Sequence, residues 1–119
     1  MEATTEVTDG VIVRRFVGGI TQDDIIGSWK ELFSSDTDLG LYKGVVFDLS
    51  QAKLEHDRSK FNEMVRILKE NEDRMEELKI AFVMDTPQVT QIILLDHMIK
   101  QLQIRPFATL KGAIGWIHI

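Results

Sequence analysis

Near the middle of the chain, residues 44–49 have the sequence Gly-Val-Val-Phe-Asp-Leu. A second run of the same kind, Lys-Ile-Ala-Phe-Val-Met, occupies residues 79–84. Short, continuous apolar runs are typical of strands that are covered on both faces, as in a parallel sheet. Segments with helical spacing lie around both runs, so the pattern indicates an α/β fold with a mostly parallel sheet.

The chain before these runs begins with a predicted antiparallel hairpin. Asp9-Gly10 lies between two stretches with strand-like alternation, residues 4–8 and 11–17. The dipeptide suits a two-residue hairpin turn, because Gly tolerates a positive φ and Asp nearly does. Gly18-Gly19 is expected to end the second strand, and the hairpin then forms the antiparallel edge of the sheet.

Helical spacing marks two segments on either side of the first buried strand. Thr21 and Asp24 have the spacing of a capping box at the start of the first, and Asp57 is the predicted N-cap of the second. The apolar residues that recur at helical intervals are Ile25, Ile26, Trp29, Leu32 and Phe33 in the first, and Phe61, Met64, Val65 and Leu68 in the second.

The chain after the second run predicts two further helices with a short strand between them. Thr86-Pro87 opens the first helix, with Pro at the first helical position, and Thr109 caps the second. The strand between them covers residues 104–107. The predicted order is β-β-α-β-α-β-α-β-α within a single domain, residues 1–119, with about five strands and about four helices.

Composition excludes several classes of protein. The chain has 119 residues, of which 44% are hydrophobic and 28% charged, and this suits a globular domain. Its net charge of −5 disfavours binding to nucleic acid, and the lack of cysteine removes disulfides, thiolate metal sites and Cys nucleophiles. No apolar run approaches the ~18 residues needed to cross a bilayer. We therefore expect a cytoplasmic protein with no membrane-spanning segment.

Five motifs, in order along nearly the whole chain, carry a resemblance to a known family. They are Gly10-Val11-Ile12-Val13, Gly19-Ile20-Thr21 with Asp24, Val45-Val46-Phe47-Asp48-Leu49-Ser50, Lys79-Ile80-Ala81-Phe82-Val83, and the ending from Phe107 through Ala113 to Trp116-Ile117. Their order and spacing resemble the SpoIIAA-like family, also described as STAS/SEC14-like. The resemblance implies a bacterial, non-enzymatic regulatory or binding module with no cofactor.

The resemblance also implies a candidate phosphorylation site. In STAS anti-sigma-factor antagonists, a serine at the start of the helix after the Asp-Leu-Ser strand is phosphorylated by an anti-sigma kinase. In the corresponding Asp57-Arg58-Ser59-Lys60, Asp57 and Ser59 match the family pattern, and the two basic residues depart from it. Ser59 is the candidate, and the alternative is a serine that serves only the helix start.

Polar side chains are expected at the carboxyl ends of the two buried strands: Asp48 and Ser50 at the first, Asp85 and Thr86 at the second. Ligands of open α/β sheets bind at this edge, and two carboxylates could hold a divalent cation or perform acid–base chemistry. The alternative, that these residues shape turns and caps, is favoured because no third ligand or phosphate-binding glycine loop accompanies them. The sequence therefore predicts no catalytic residue and no metal site.

The predicted helix over residues 89–102 has more apolar surface than one sheet face can bury. Residues 92–95 are Ile-Ile-Leu-Leu, and four consecutive residues point in nearly every direction around a helix. A second subunit, an apolar ligand or a membrane surface could cover the excess, unless the last helix with Trp116 does so. A homodimer is the preferred explanation. The candidate interface residues are Ile92, Leu94, Leu95 and Met98.

Four functions stay open at this point. The preferred one is a non-enzymatic STAS-like regulatory or binding module that self-associates or binds a protein partner. The SEC14 likeness implies an alternative, a carrier or sensor of a small apolar or lipid-like ligand. The remaining two are an anti-sigma-factor antagonist with a phosphoswitch at Ser59, and an enzyme that uses Asp48 and Asp85.

Overall fold

The computed structural model describes residues 2–34, 38–55, 60–75, 77–84, 93, 99 and 103–119. The strands within these residues are β1 (Glu2–Thr8), β2 (Val11–Ile20), β3 (Gly44–Leu54), β4 (Lys79–Val83) and β5 (Gln103–Phe107). The helices are α1 (Gln22–Ser34), α2 (Phe61–Glu70) and α3 (Leu110–Ile117), with short 3₁₀ segments at Leu39–Leu41 and Glu72–Met75.

The five strands form one sheet in the order β1-β2-β3-β4-β5. β1 runs antiparallel to β2, and every other neighbouring pair is parallel. The predicted α/β fold with an antiparallel N-terminal edge is therefore confirmed. The connections from β2 to β3 and from β3 to β4 each advance one strand in the same direction, so right-handed crossovers place the helices of these two connections on one face of the sheet. α1 and α2 lie on that face, whereas α3, which follows the last strand, covers the opposite face.

A two-residue turn joins β1 to β2, as predicted. Asp9 and Gly10 have φ values of 49° and 78°, which fit a type I′ turn. This turn matches the twist of the flanking strands, and the pairing continues without a register shift from Thr8 opposite Val11 to the start of β1. The turn therefore determines which β1 side chains share a face with the buried side chains of β2.

The prediction that Gly18-Gly19 ends the second strand is wrong. β2 continues through both glycines to Ile20, and β3 continues past its predicted end to Leu54. The two extensions pair with each other along residues 17–20 and 51–54. Two adjacent glycines locally favour a strand end, but pairing with a neighbouring strand overrides that preference.

The extensions follow a one-residue shift in the β2–β3 register. Arg15 lies opposite Asp48, but Val17 lies opposite Gln51. β4 ends at Val83, which pairs with Asp48. Residues 17–20 and 51–54 therefore form a ribbon beyond the end of β4, in which β1 reaches only Val17. This segment is called the β2–β3 ribbon below. Asp48 lies level with the end of β4, but within β3 and not at its carboxyl end.

The main core lies between the sheet and helices α1 and α2. Three phenylalanine rings from adjacent strands stack across it, with centroids 6.2 Å apart for Phe16 and Phe47 and 5.2 Å apart for Phe47 and Phe82. Trp29 of α1 packs on the central ring, at a centroid distance of 4.6 Å. All four side chains are at most 1% exposed, so they contribute much of the apolar burial that stabilises the fold.

Two helices begin at their predicted caps. The Asp24 amide donates to Thr21 Oγ1 at 3.2 Å and the Thr21 amide donates to Asp24 Oδ2 at 2.8 Å, which is the predicted capping box. At the start of α3, the Gly112 amide donates to Thr109 Oγ1 at 3.1 Å. Local capping signals in the sequence therefore gave correct helix starts.

Two other predictions about helices fall on residues that are not described. The predicted cap Asp57 lies outside the described residues, and the described helix begins at Phe61. The predicted helix over residues 89–102 also lies outside them, apart from two positions. Ile93 is helical and exposed, and Ile99 is buried in the main core.

A smaller core lies between α3 and the opposite face of the sheet. Its buried residues are Val11, Val13, Val46, Ala81, Val83, Ala113 and Ile117. Gly44 allows the close approach of α3, since a Cβ at this position would lie 2.5 Å from the Lys79 carbonyl oxygen and 2.8 Å from Ile117 Cγ2. Any other residue at position 44 would have to displace the backbone of β4 or the helix.

The two edges of the sheet differ in their protection against further strands. β5 is five residues long and carries the exposed Arg105 and also Pro106, which has no N–H to donate. β1 is seven residues long and exposed at every position, and it contains no Lys, Arg or Pro and no register shift. Lysine, proline and bulges are the usual protection of an edge strand. β1 is therefore the open edge of this sheet.

Candidate functional site

Two of the predicted strand-end residues, Asp48 and Ser50, form a cluster with Arg15 on the α3 face of the sheet. Asp48 Oδ1 accepts from the Ser50 amide at 3.0 Å and from the Ser50 hydroxyl at 2.7 Å, and Asp48 Oδ2 accepts from Arg15 Nε at 3.2 Å. The Asp48 side chain is 4% exposed and that of Arg15 is 40% exposed. Both oxygens of this buried carboxylate are thus engaged within the strand-end cluster of Arg15, Asp48 and Ser50.

The strand-end cluster lies where the β2–β3 register shifts. A bulge leaves backbone groups outside the ladder of hydrogen bonds, and a nearby side chain can take the place of the missing partner. Asp48 supplies that partner for the Ser50 amide, and Arg15 on the neighbouring strand balances the buried negative charge. The geometry therefore favours a structural role for Asp48 over acid–base chemistry.

The other predicted site residues lie outside the described residues. They are Asp85 and Thr86 at the second strand end, the candidate phosphorylation site Ser59, and the candidate interface residues Ile92, Leu94, Leu95 and Met98. The structure therefore describes one half of the predicted strand-end site. The other half, the phosphorylation site and the interface stay predictions.

Arg14, which no motif of the sequence marks, is buried between the hairpin and α1, at 8% exposure. Its Nε donates to Thr5 Oγ1 at 3.1 Å, and its Nη1 donates to Ser28 Oγ at 2.6 Å and to the Ser28 carbonyl oxygen at 3.3 Å. Its Nη2 lies 3.5 Å from Glu31 Oε1. One side chain therefore links β1, β2 and α1.

An open groove runs between β1 and α1 and includes Arg14 among its lining residues. Its volume is about 350 Å³, and a further groove of about 200 Å³ shares Thr5, Arg14 and Glu31 with it. α1 contributes the carboxylates of Asp23, Asp24 and Glu31 to the first groove, called the β1–α1 groove below. These charged groups share the lining with apolar ones such as Phe16, and the groove is open to solvent. The lipid-carrier alternative needs an enclosed apolar cavity, so the β1–α1 groove gives that alternative no support.

The described residues also bear on metal binding and on membrane crossing. Within the described part of the chain, no group of three or more His, Asp or Glu side chains is arranged to hold a metal ion. Among the helices of that same part, none combines the length and the apolar character that crossing a bilayer requires.

Comparison with solved structures identifies the fold. The anti-sigma factor antagonist SpoIIAA in its unphosphorylated form matches with a TM-score of 0.60 at 12% identity, over 98% of each chain. An anti-sigma factor antagonist from Mycobacterium paratuberculosis matches with a TM-score of 0.59 at 18% identity, over 99% of this chain and 94% of that one. These matches show that the chain has the SpoIIAA-like, or STAS, fold that its motifs resemble.

A third similar structure belongs to an uncharacterized protein of the DUF3478 family from Shewanella loihica PV-4, which is described as having a SpoIIAA-like fold. Its TM-score is 0.59 at 8% identity, over 98% of this chain and 92% of that one. No family model and no curated protein matches this sequence. At these identities the likeness is one of fold.

Proposed function

We propose that this chain is a non-enzymatic regulatory module of the bacterial cytoplasm that acts by binding a protein partner. The observation that supports the proposal is the end-to-end match of its fold to SpoIIAA and to the mycobacterial protein, which are both described as anti-sigma factor antagonists. Because the match covers at least 98% of this chain, the proposal treats residues 1–119 as a single module.

The chemistry of the strand-end cluster supports binding over catalysis. A general acid or base must be free to exchange a proton with a substrate. Asp48 is 4% exposed and accepts three hydrogen bonds from its own chain, so its carboxylate has no free oxygen to offer. The cysteine-free composition removes thiol nucleophiles and also fits a reducing cytoplasm.

The surface we assign to the partner is the β2–β3 ribbon. It extends past β4 at the carboxyl end of the sheet, the edge at which open α/β sheets bind their ligands. It also presents an exposed apolar side chain, Val17 at 39%, beside the bare backbone of Gly18-Gly19 and the exposed Gln51. Apolar groups next to open backbone and polar side chains are suited to contact with another protein.

Photo-crosslinking in the organism that encodes the chain tests this assignment. A photoreactive amino acid at Gln51 is expected to capture one protein reproducibly, which mass spectrometry then identifies. The matched control places the same group at Lys111, an exposed position of α3 on another part of the surface. Equal capture at both positions, or no capture at Gln51, would contradict the proposal.

A second candidate function is a phosphoswitch at Ser59. It is favoured because solved structures with this fold include SpoIIAA both in its unphosphorylated form and in its phosphorylated form. The intact mass of the protein from its native host is expected to show a fraction that carries one phosphate. That fraction is expected to vanish in Ser59→Ala and to persist in Ser50→Ala, the matched control. Phosphate that persists in Ser59→Ala would refute this site.

A further inference from the structure

β1 presents a row of backbone groups that no strand of its own sheet uses. Thr8, next to the two-residue turn, exchanges backbone hydrogen bonds with β2. Along an antiparallel pair, residues that form such bonds alternate with residues that do not. The even-numbered residues of β1 therefore bond to β2. Ala3, Thr5 and Val7 direct both their N–H and their C=O away from the sheet, into the space beyond its open edge.

We propose that this edge pairs with β1 of a second copy of the chain, antiparallel and about a two-fold axis at Thr5. In such a pair, the number of any residue and the number of the residue opposite it always add up to the same value. This sum is even, because opposite side chains lie on the same face of the sheet. With a sum of 10, all seven residues of β1 find a partner. Ala3 then lies opposite the partner's Val7, and Thr5 lies opposite the partner's Thr5.

This register uses every outward-facing backbone group. Three pairs form between outward-facing residues, and each pair exchanges two hydrogen bonds, so six bonds form in all. Counted over Glu2–Thr8, the described residues of β1, a shift of the sum to 8 or to 12 leaves two such pairs and four bonds. The full-length register is therefore the one that satisfies the open edge best.

The charges of β1 select the same register. With a sum of 8, Glu2 lies opposite the partner's Glu6, and with a sum of 12, Glu6 lies opposite the partner's Glu6. Like charges directly opposite each other destabilise a strand pair. With a sum of 10, Glu2 lies opposite the partner's Thr8 and Glu6 lies opposite the partner's Thr4, so no two carboxylates lie directly opposite each other.

The side chains on the α1 face fit this arrangement as well. Val7 is 57% exposed in the single chain, and the proposed register covers it with the partner's Ala3. Small or short side chains at positions 3 and 5 let the two strands approach without a clash. The opposite edge of the sheet is unsuited to such pairing, because Pro106 interrupts its row of donors and Arg105 projects from it.

Cysteine cross-linking tests the register, because the chain contains no cysteine of its own. Under mild oxidation Thr5→Cys is expected to form a covalent dimer. A mixture of Ala3→Cys and Val7→Cys chains is expected to cross-link as well, while each of these variants alone stays monomeric on a denaturing gel. Lys111→Cys, exposed on α3, gives the background level. The Ala3 and Val7 variants leave the Thr5–Arg14 hydrogen bond intact, so the test does not depend on Thr5→Cys.

Sedimentation equilibrium over a range of protein concentrations tests the charge argument with a matched pair of variants. Thr4→Glu places a carboxylate opposite the partner's Glu6 twice per dimer, whereas Thr4→Lys places an opposite charge there. Cross-strand pairs of this kind change the dimer dissociation constant by about 2- to 30-fold when two of them act together. The Glu variant is expected to weaken the dimer and the Lys variant to strengthen it, and added salt is expected to reduce both effects.

Three outcomes would overturn the proposal. The first is a monomer at every concentration with no cross-link above the Lys111→Cys level. The second is a dimer with equal affinity in both Thr4 variants, which would point to another interface such as residues 92–98. The third is cross-linking of Ala3→Cys or Val7→Cys to a different protein in place of a second copy, which would assign the edge to a foreign strand.

Discussion

Arg14 shows how far the sequence predicts a single buried residue. The two-residue period of a strand places Arg14 on the same face as Ile12 and Phe16, and both of these are buried. That signal was present, but Arg14 and Arg15 are adjacent and apolar residues cover both faces of β2. The sequence pattern therefore does not show which face of β2 is polar. The contacts with α1 determine that Arg14, and not Arg15, is the buried arginine.

Arg14→Ala is expected to lower the free energy of unfolding by about 2 kcal/mol, because it removes charge-assisted hydrogen bonds to Thr5 and Ser28 that are shielded from water. Urea unfolding followed by circular dichroism measures the change. The control, Arg66→Ala, breaks an exposed pair with Glu70 and is expected to cost about 0.5 kcal/mol or less. Equal losses in the two variants would contradict the structural role of Arg14.

Gly44→Ala is expected to destabilise the protein by about 1–3 kcal/mol, because the added Cβ would meet the Lys79 carbonyl oxygen and Ile117 of α3. The matched control is Gly115→Ala, where a Cβ would meet nothing within 4 Å. In the middle of a helix this change is expected to stabilise the protein by about 0.5–1 kcal/mol. Thermal unfolding of the two variants gives the comparison, and a stable Gly44→Ala would show that α3 does not approach β3 closely.

Whole elements were predictable where their ends depend on nearby residues. The capping box of Thr21 and Asp24 and the turn at Asp9-Gly10 are local signals, and both were correct. The ends of β2 and β3 depend on pairing between residues more than 30 positions apart, which periodicity does not report. The exposed ribbon and the bulge that precedes it were therefore outside the reach of a pattern-based prediction.

The bulge gives an element-scale prediction about the strand-end cluster. Asp48→Ala is expected to cost about 2–3 kcal/mol, because the Ser50 amide and Arg15 both lose their partner, whereas Ser50→Ala removes one hydroxyl bond and is expected to cost about 1 kcal/mol. Urea unfolding of both variants gives the ratio. If Asp48→Ala proved as stable as the native chain, the Asp48 carboxylate would not be needed for stability, and a chemical role for it would again be a candidate.

At the scale of the whole molecule, the binary pattern of apolar and polar residues was enough to predict an α/β sheet with an antiparallel edge. The apolar runs at residues 44–49 and 79–84 predict strands that are covered on both faces of the sheet. The two cores, one on each face, cover them in this way. The pattern carried much less information about the candidate site. Asp48 and Ser50, two of the predicted strand-end residues, do lie in contact. Their contacts arise at a shift in the β2–β3 register, which no local sequence pattern predicts.

Hydrogen exchange is expected to follow position in the sheet. Backbone amides of the central strand β3, such as those of Val45 and Phe47, have buried strands on either side and are expected to exchange most slowly. The outward amides of Ala3, Thr5 and Val7 are expected to exchange fastest in dilute solution and to gain protection as the protein concentration rises. Slow exchange of these three amides at high dilution would contradict the assignment of β1 as an open edge.

The strictly sequential strand order has a consequence for how the protein is made. No strand has to be inserted between two that are already in place, so each newly synthesised strand can attach to the rim of the partial sheet as it leaves the ribosome. The sheet can therefore form strand by strand during translation, without separating strands that have already paired.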